Sequence, residues 1–304
     1  MSAPEVQGDA SRQALTWAAL GTTLFLWASA FVAIRVGLRG YAPGHLAVLR
    51  FITASAALGA FALIRRPKLP RARDLPILAV HGFLGFTAYH LLLNYGERTV
   101  SAASACFLIG AIPIFTALLA GFLLKERLGG RLILGIAVSM AGVALIAMGE
   151  NGGLGVNYGA VLILLAAFSE SLFIVLQKPL LSRYAPTEYV TWTVFAGTIL
   201  MAPWSPGLWE AVREAPASAT FAAVYMGIGP AAVAYATWAY ALQRAPASKV
   251  AATQFCMPAV TMLLGWLFLD EWPRLLAVAG GITALAGVAV GVILPASTKI
   301  RRKS

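Results

Sequence analysis

Only two formally charged residues stand inside the long apolar runs of this chain, Arg50 and Glu170. A charge at the centre of a hydrocarbon layer costs at least about 2.5–3.5 kcal/mol, so such a residue faces a bundle interior and marks a site by default. Glu170, within Phe168-Ser169-Glu170-Ser171, suits a proton carrier or a contact for an ammonium group. A protonated carboxyl bonded to a neighbouring helix, or one facing a watery vestibule, would use the same residue type. Arg50 lies about one and a half turns into its run. Its head either snorkels to the surface or meets a carboxylate.

Polar and aromatic side chains accompany these charges. The segment from His81 to Tyr95 places Phe83, Thr87, His90 and Asn94 on one stripe at helical spacing. Lipid cannot satisfy their hydrogen bonds, so the stripe lines a cavity or forms a seam with another helix. His81 falls on the other face. Trp27 and Phe31 are spaced i, i+4, and Tyr235 and Trp238 are spaced i, i+3; with Tyr89 they offer rings for a flat or apolar ligand, or for plain core packing. Gln254 precedes Pro258, where the missing backbone donor interrupts a helix and leaves a polar contact. We take Trp27, Phe31, Phe83, Thr87, Tyr89, His90, Asn94, Glu170, Tyr235, Trp238 and Gln254 as candidate substrate contacts. Three scattered His residues form no metal-ligand cluster, and no segment has the pattern of a nucleotide-phosphate loop, so no cofactor is expected.

The elements that carry these residues follow from composition. Apolar residues make up 60% of the chain, charged residues 12%, and mean hydropathy is +0.79. That is about half the charge of a soluble domain, which excludes a soluble enzyme. Ten runs have the length of about 20 residues that a helix needs to span a bilayer: 15–34, 45–64, 75–95, 102–124, 132–148, 158–176, 189–204, 219–242, 250–269 and 275–294. The seventh is short and holds Pro203. The start, with Glu5 and Asp9, lacks the basic opening of a cleaved signal, so the first run reads as a retained span. Cys106 and Cys256 both fall in apolar runs and read as buried thiols.

Basic residues set the orientation. With the N-terminus inside, the cytoplasmic segments hold 17 Lys and Arg, including the clusters at 65–73, 125–131 and 299–303; the opposite side holds Arg35, Arg39, Arg98, Arg213 and Arg274. This asymmetry places both termini in the cytoplasm. It also accounts for the net charge of +11 without any nucleic-acid partner.

The chain repeats itself. At an offset of 145, Pro113, Thr116, Leu118, Leu119, Leu124 and Glu126 fall on Pro258, Thr261, Leu263, Leu264, Leu269 and Glu271. Gly135 and Ala141-Gly142-Val143-Ala144 fall on Gly280 and Ala286-Gly287-Val288-Ala289, and at 143 Tyr41-Ala42-Pro43 falls on Tyr184-Ala185-Pro186. A unit of five spans is odd, so its two copies insert with opposite topology, a recurring plan of secondary transporters. The expected fold is an all-α integral membrane protein of ten transmembrane helices. Its parts are a cytoplasmic tail 1–14, one five-helix repeat at 15–149, an external linker 150–157, a second repeat at 158–294 and a basic cytoplasmic tail 295–304. The small faces around Gly142 and Gly287 serve close packing against each other or a homodimer, so the protein is a monomer or a homodimer. Glu126 and Glu271 read as structural carboxylates before helices.

Trp27-Ala28-Ser29-Ala30-Phe31, Pro113…Lys125-Glu126-Arg127-Leu128, Pro258…Asp270-Glu271 and the Gly142 and Gly287 segments resemble the drug/metabolite transporter superfamily, in its ten-span EamA-like branch. The length and the third span are most similar to the YddG-type aromatic amino acid exporters. The resemblance implies export of aromatic and other neutral amino acids, or similar small organic metabolites, through a bacterial inner membrane, with membrane lipid as the surroundings. Glu170 departs from the pattern, because the first repeat has Trp27-Ala28 near that place. Exporters of cationic drugs, lipid flippases and intramembrane enzymes are the alternatives. No Asp lies in any span, which disfavours the last.

Overall fold

Tyr41-Ala42-Pro43 and Tyr184-Ala185-Pro186 open two helices in the same way in the computed structural model. It describes residues 3–123, 130–151, 157–181, 183–242, 254 and 257–290. Ala42 and Ala185 are extended, with φ/ψ of −60°/149° and −61°/148°, and each proline takes the first turn. Proline suits that place because its fixed φ is helical and its missing N–H would go unpaired there anyway. The tyrosines then tie each helix start to a distant segment. Tyr41 Oη lies 2.6 Å from Thr220 Oγ1, and Tyr184 Oη donates to Asp74 Oδ2 at 2.8 Å.

All regular structure among the described residues is helical. The helices are α1 (Ala3–Gly37), α2 (Pro43–Arg65), α3 (Leu75–Gly82), α4 (Tyr89–Gly96), α5 (Ala102–Ile109), α6 (Ile112–Leu123) and α7 (Gly130–Asn151). They continue with α8 (Tyr158–Leu181), α9 (Pro186–Leu200), α10 (Leu208–Glu214), α11 (Ala217–Met226), α12 (Ala234–Leu242), α13 (Met257–Leu269) and α14 (Leu275–Val288). Among the described residues, five stretches are long and apolar enough to cross a bilayer: Gln13–Gly37, Pro43–Arg65, Ala72–Gly96, Tyr158–Gln177 and Ala217–Trp238. Shorter apolar helices accompany them. Leu63, Ile64, Ile199, Phe221 and Leu275 are largely exposed, a distribution that lipid solvates and water does not. Trp209 and Trp272 are exposed near helix ends, whereas Trp204 is seated against Gly44. Lys125-Glu126-Arg127, Cys256, most of the 150–157 segment and the tail 295–304 lie outside the described residues.

Among the described residues, two long helical stretches carry a π turn in their interior, and the two turns match. Phe83–Ala88 joins α3 to α4, and Gly227–Val233 joins α11 to α12. At the offset of 145, Gly82 falls on Gly227 and Phe83–Ala88 on residues 228–233. Each turn packs at a glycine. A Cβ on Gly82 would meet the backbone of Thr193 and Gly197; one on Gly227 would meet Arg50 O and Thr53. A carbonyl in each turn is also capped by a helix of the opposite half: Ser169 Oγ donates to Leu84 O at 2.8 Å, and Trp27 Nε1 donates to Pro230 O at 3.1 Å. Without such donors a carbonyl freed in hydrocarbon would go unsatisfied.

The small faces of α7 and α14 meet each other. Gly142 packs on the backbone of Gly280 and Ala284, Gly287 packs on Gly135 and Ser139, and Ser139 Oγ donates to Ala284 O at 2.9 Å. These faces are thus occupied within one chain. At the start of α5, Ser101 Oγ accepts the Ser104 N–H at 3.3 Å and caps the helix.

The bundle has two polar ends. The upper end, where α1 passes to α2, holds Arg35, Glu97, Arg98 and Glu271. The lower end, where α2 passes to α3, holds Lys68, Arg71, Asp74, Arg183 and Glu188. At the upper end Arg35 Nε pairs with Glu271 Oε1 at 2.8 Å, Arg35 Nη1 donates to Glu97 O at 2.5 Å, and Glu271 Oε2 accepts the Ala102 N–H at 3.2 Å. At the lower end Arg183 Nη1 donates to Asp74 Oδ1 at 3.0 Å. Glu188 accepts from the Lys68 and Ala185 N–H groups at 3.1 and 3.0 Å.

Candidate functional site

The aromatic residues of α1 and α12 come together. Trp27 lies 5.5 Å from Tyr235 and 5.1 Å from Trp238, ring centre to ring centre. Tyr235 continues to Phe86 at 6.0 Å, Phe86 to Phe51 at 5.7 Å, Phe51 to His90 at 4.6 Å, and His90 to Tyr89 at 4.6 Å. An unbroken row of rings therefore runs from Trp238 to Tyr89 across both halves. Trp27–Tyr235, Phe86–Phe51, Phe51–His90 and His90–Tyr89 meet edge to face, as the ring quadrupoles favour, and the other two contacts are tilted.

Glu170 on α8 lies within electrostatic reach of the Tyr89 and Tyr235 phenols in this row, and of Tyr189. Its Oε2 is buried and has no hydrogen-bond partner. Arg50 on α2 reaches the same Tyr89 and Tyr235 from another helix. It is only 5% exposed and its Nε has no partner. The centre of the molecule thus carries an acid and a base with unused hydrogen-bonding capacity, set among rings.

The other expected contacts divide. His90 is buried, with Nδ1 3.0 Å from Phe86 O. Thr87 donates to Gly197 O at 2.9 Å, which makes it part of the seam between the π turn and α9. Asn94 donates to Pro43 O at 3.1 Å while its Oδ1 is unpartnered. Phe31 is buried in the core with Phe107 and Ile109 and packs rather than lines. Gln254 is half-buried. Phe83 is corrected: it is 48% exposed on the outside of the bundle. The stripe assumed unbroken α spacing, and the π turn closes its hydrogen bonds over five residues instead of four, so Phe83 leaves the face of Thr87, His90 and Asn94. His81 is fully buried, with Nδ1 2.7 Å from Tyr189 Oη.

Residue types left Arg50 open between two readings and missed two further features. Arg50 does not snorkel. Glu97, two residues past an apolar run, is fully buried, and neither carboxylate oxygen has a hydrogen-bond partner. Burial holds its carboxyl well above the ordinary range, with Arg35 opposing that rise. Glu271, read as a helix-start carboxylate, is the partner of Arg35. The usable signal for Arg50 was in the repeat: its counterpart at offset 143 is the uncharged Thr193.

Among the described residues, one cavity touches this centre at Tyr235 and another lies at the upper end. One of about 230 Å³ lies between α2, α9 and the second π turn, lined by Leu58, Phe61, Val190, Ile228 and Tyr235 among others. It is apolar and belongs to the lower half. The other, of about 190 Å³, sits at the upper end among Arg35, Leu38, Arg39, Arg98 and Glu271.

Comparison with known proteins adds the context. The model of the EamA-like transporter family matches twice, over residues 14–148 and 157–293. The chain is 42% identical over 263 residues to "Uncharacterized transporter YdfC" of Bacillus subtilis (strain 168), covering 86% of each chain. It is 38% identical over 270 residues to the "Probable terminal-alkyne amino-acid exporter" of Streptantibioticus cattleyicolor, covering 89% of this chain and 91% of that one. A third relative, 28% identical, is the "Probable amino-acid metabolite efflux pump" of Escherichia coli (strain K12), with 88% and 91% covered. A crystal structure 22% identical in sequence shares the fold with a TM-score of 0.61, over 93% of this chain and 97% of that one.

Proposed function

The chain belongs to the EamA-like transporter family, and from that premise we propose that it is a secondary transporter exporting amino acids, aromatic and other neutral ones, across a bacterial inner membrane. It works by alternating access between two inverted five-helix repeats, 15–149 and 158–294, with ten spans and both termini in the cytoplasm. The observation that carries the reading is the central row of rings with the unpartnered Glu170 carboxyl beside it. A carboxylate takes the ammonium group of an amino acid and the rings take its side chain. The relatives named as an amino-acid exporter and as an amino-acid metabolite efflux pump support this substrate class.

The two cavities fit a path through the molecule. In the proposed orientation the apolar cavity near Tyr235 receives cargo from the cytoplasm, and the arginine-rich upper cavity faces the outside. The matched π turns lie at the junction of the halves, where one half rocks on the other. Tyr89, His90, Asn94, Trp27, Glu170, Tyr235 and Trp238 form the substrate site; Thr87 and Phe31 support it from behind, and Gln254 completes it from the second half.

A reading as an exporter of cationic drugs rests on the same Glu170 and rings. Arg50 opposes it, because a buried guanidinium repels a cation placed in that centre. Counterflow in liposomes decides between them: protein preloaded with unlabelled L-phenylalanine should accumulate labelled Phe, Met and Thr in a saturable way. Exchange of lipophilic cations with no amino-acid exchange would overturn the proposal.

A further inference from the structure

The guanidinium of Arg50 is buried without a reason internal to the frame. Its Nε has no partner, and the contacts around it are Met226 Sδ, 3.9 Å from Nη1, and the Phe51 ring, 5.6 Å from Cζ. Both are soft and leave most of its five N–H donors unused. The carboxylate nearest in electrostatic terms is Glu97, which also lies in the field of Arg35 and makes no ion pair with Arg50. The remaining polar groups facing Arg50 are the Tyr89 and Tyr235 phenols and the His90 ring, none of them an anion at neutral pH.

The repeat supplies a control for what the frame requires at this place. Thr193 is the counterpart of Arg50, and Gly82 packs on Thr193 O as Gly227 packs on Arg50 O. Thr193 Oγ1 is satisfied within its own helix, by Tyr189 O at 2.8 Å and Val190 O at 3.1 Å. The helix contact therefore uses the backbone, and either side chain serves it. At offset 143 the counterpart of Glu170 is Trp27. Each of the two charges of the spans thus has an uncharged counterpart in the other half. They reach the same two phenols and form no ion pair with each other.

We propose that Arg50 is the carboxylate-recognition residue of this protein, so that its cargo must carry a free carboxylate as well as the ammonium group assigned to Glu170. An arginine is suited to this because its planar fork pairs two N–H groups with the two oxygens of a carboxylate. The cargo class narrows to zwitterions: amines, amino amides and esters are disfavoured however well their side chains fit the rings. The inference rests on the amino-acid reading above and sharpens it.

The test is competition in the same liposomes at mildly acidic pH, where L-phenylalanine and L-phenylalaninamide both keep the ammonium group. Labelled L-phenylalanine exchange should be inhibited by L-phenylalanine about 10- to 100-fold better than by the amide, the ratio expected for one charge-assisted hydrogen-bonding group. Arg50→Met should bring that ratio to about one, and Arg50→Lys should keep most of it. Thermal stabilisation of the detergent-solubilised protein by L-phenylalanine, by the amide and by 3-phenylpropionate gives a readout independent of transport. Phenylalanine exchange with equal inhibition by acid and amide, or an Arg50→Met variant that keeps the preference, overturns the role of Arg50 alone. No amino-acid exchange at all sinks the amino-acid reading. In that case 3-phenylpropionate must still stabilise the wild type and not Arg50→Met, or the carboxylate role falls with it. Should Arg50→Met fail to fold, the wild-type comparison of acid with amide decides.

Discussion

Asp74 and Arg50 are buried to about the same degree, 3% and 5% exposed, and are treated in opposite ways. Asp74, at the lower end, has one oxygen on Arg183 and the other on Tyr184. At the upper end Arg35, Glu271, the Glu97 carbonyl and the Ala102 N–H share one network, although the buried Glu97 carboxyl beside it has no hydrogen-bond partner. At mid-depth, Arg50 and Glu170 keep unpartnered atoms. A buried ionisable group without a partner is costly, so it persists where something outside the resting structure completes it. Apart from the Glu97 carboxyl, the polar groups of the ends hold the helices in register, and the proposed site is the place where an acid and a guanidinium both keep unpartnered atoms.

The sharpest way to break this contrast is at the centre. Glu170→Gln should reduce amino-acid exchange by about 10-fold or more, since a hydrogen bond to a charged group is worth about 1.5–3 kcal/mol. Its melting temperature in detergent should not fall, because no bond is lost. Full exchange by this variant removes Glu170 from the site.

Asp74→Ala should do the reverse. It strands Arg183 and Tyr184 and should cost about 2–3 kcal/mol of stability, read as a lower melting temperature, with the order of substrate preference unchanged. A change of preference without loss of stability would erase the distinction between ends and centre.

Trp238→Leu removes one ring from the row. A loss of about 0.5–1.5 kcal/mol per aromatic contact predicts about a 2- to 10-fold weaker half-saturation for Phe and a smaller effect for Thr.

Two carboxylates test the ends by pH. Burial raises the Glu97 carboxyl, so its contribution favours the folded state below the ordinary carboxylate range and is lost as pH rises through the folded value. Glu97→Gln should therefore match the wild type in acid and melt higher than it near neutrality. Glu188 is held below the ordinary range by the Lys68 and Ala185 N–H groups, so its contribution is present above that range and disappears as pH falls. Glu188→Gln should melt slightly lower at neutral pH, with the gap closing in acid. Parallel curves for each pair would remove both carboxylates from the balance.

Much of the frame could be read from residue types. The tripeptides at Tyr41 and Tyr184 start equivalent helices, and the glycines of the seventh and last helices meet each other, one of the two uses their spacing allowed. Trp27, Tyr235 and Trp238 gather as their placement on inner spans suggested. What escaped was depth and phase. One π turn contains Pro230 and the other has no proline, so residue type does not announce it, and Phe83 was put on the wrong face. Arg50 looked close to a surface because distance along a helix says nothing of what covers it. Glu97 stood just outside an apolar run, where charge is ordinary, and only the packed neighbours reveal that it is enclosed.

The π turns also act as notches. Each holds one more residue in a turn than an α-helix does, and an α-helix advances about 1.5 Å and turns about 100° per residue. Shedding that residue at Phe83–Ala88 or Gly227–Val233 would screw the helix beyond it by one such step, carrying Tyr89 or Tyr235 with it while the helix before stays still. The molecule thus has, in each half, a ratchet tooth set one or two residues from a ring that faces the charged centre.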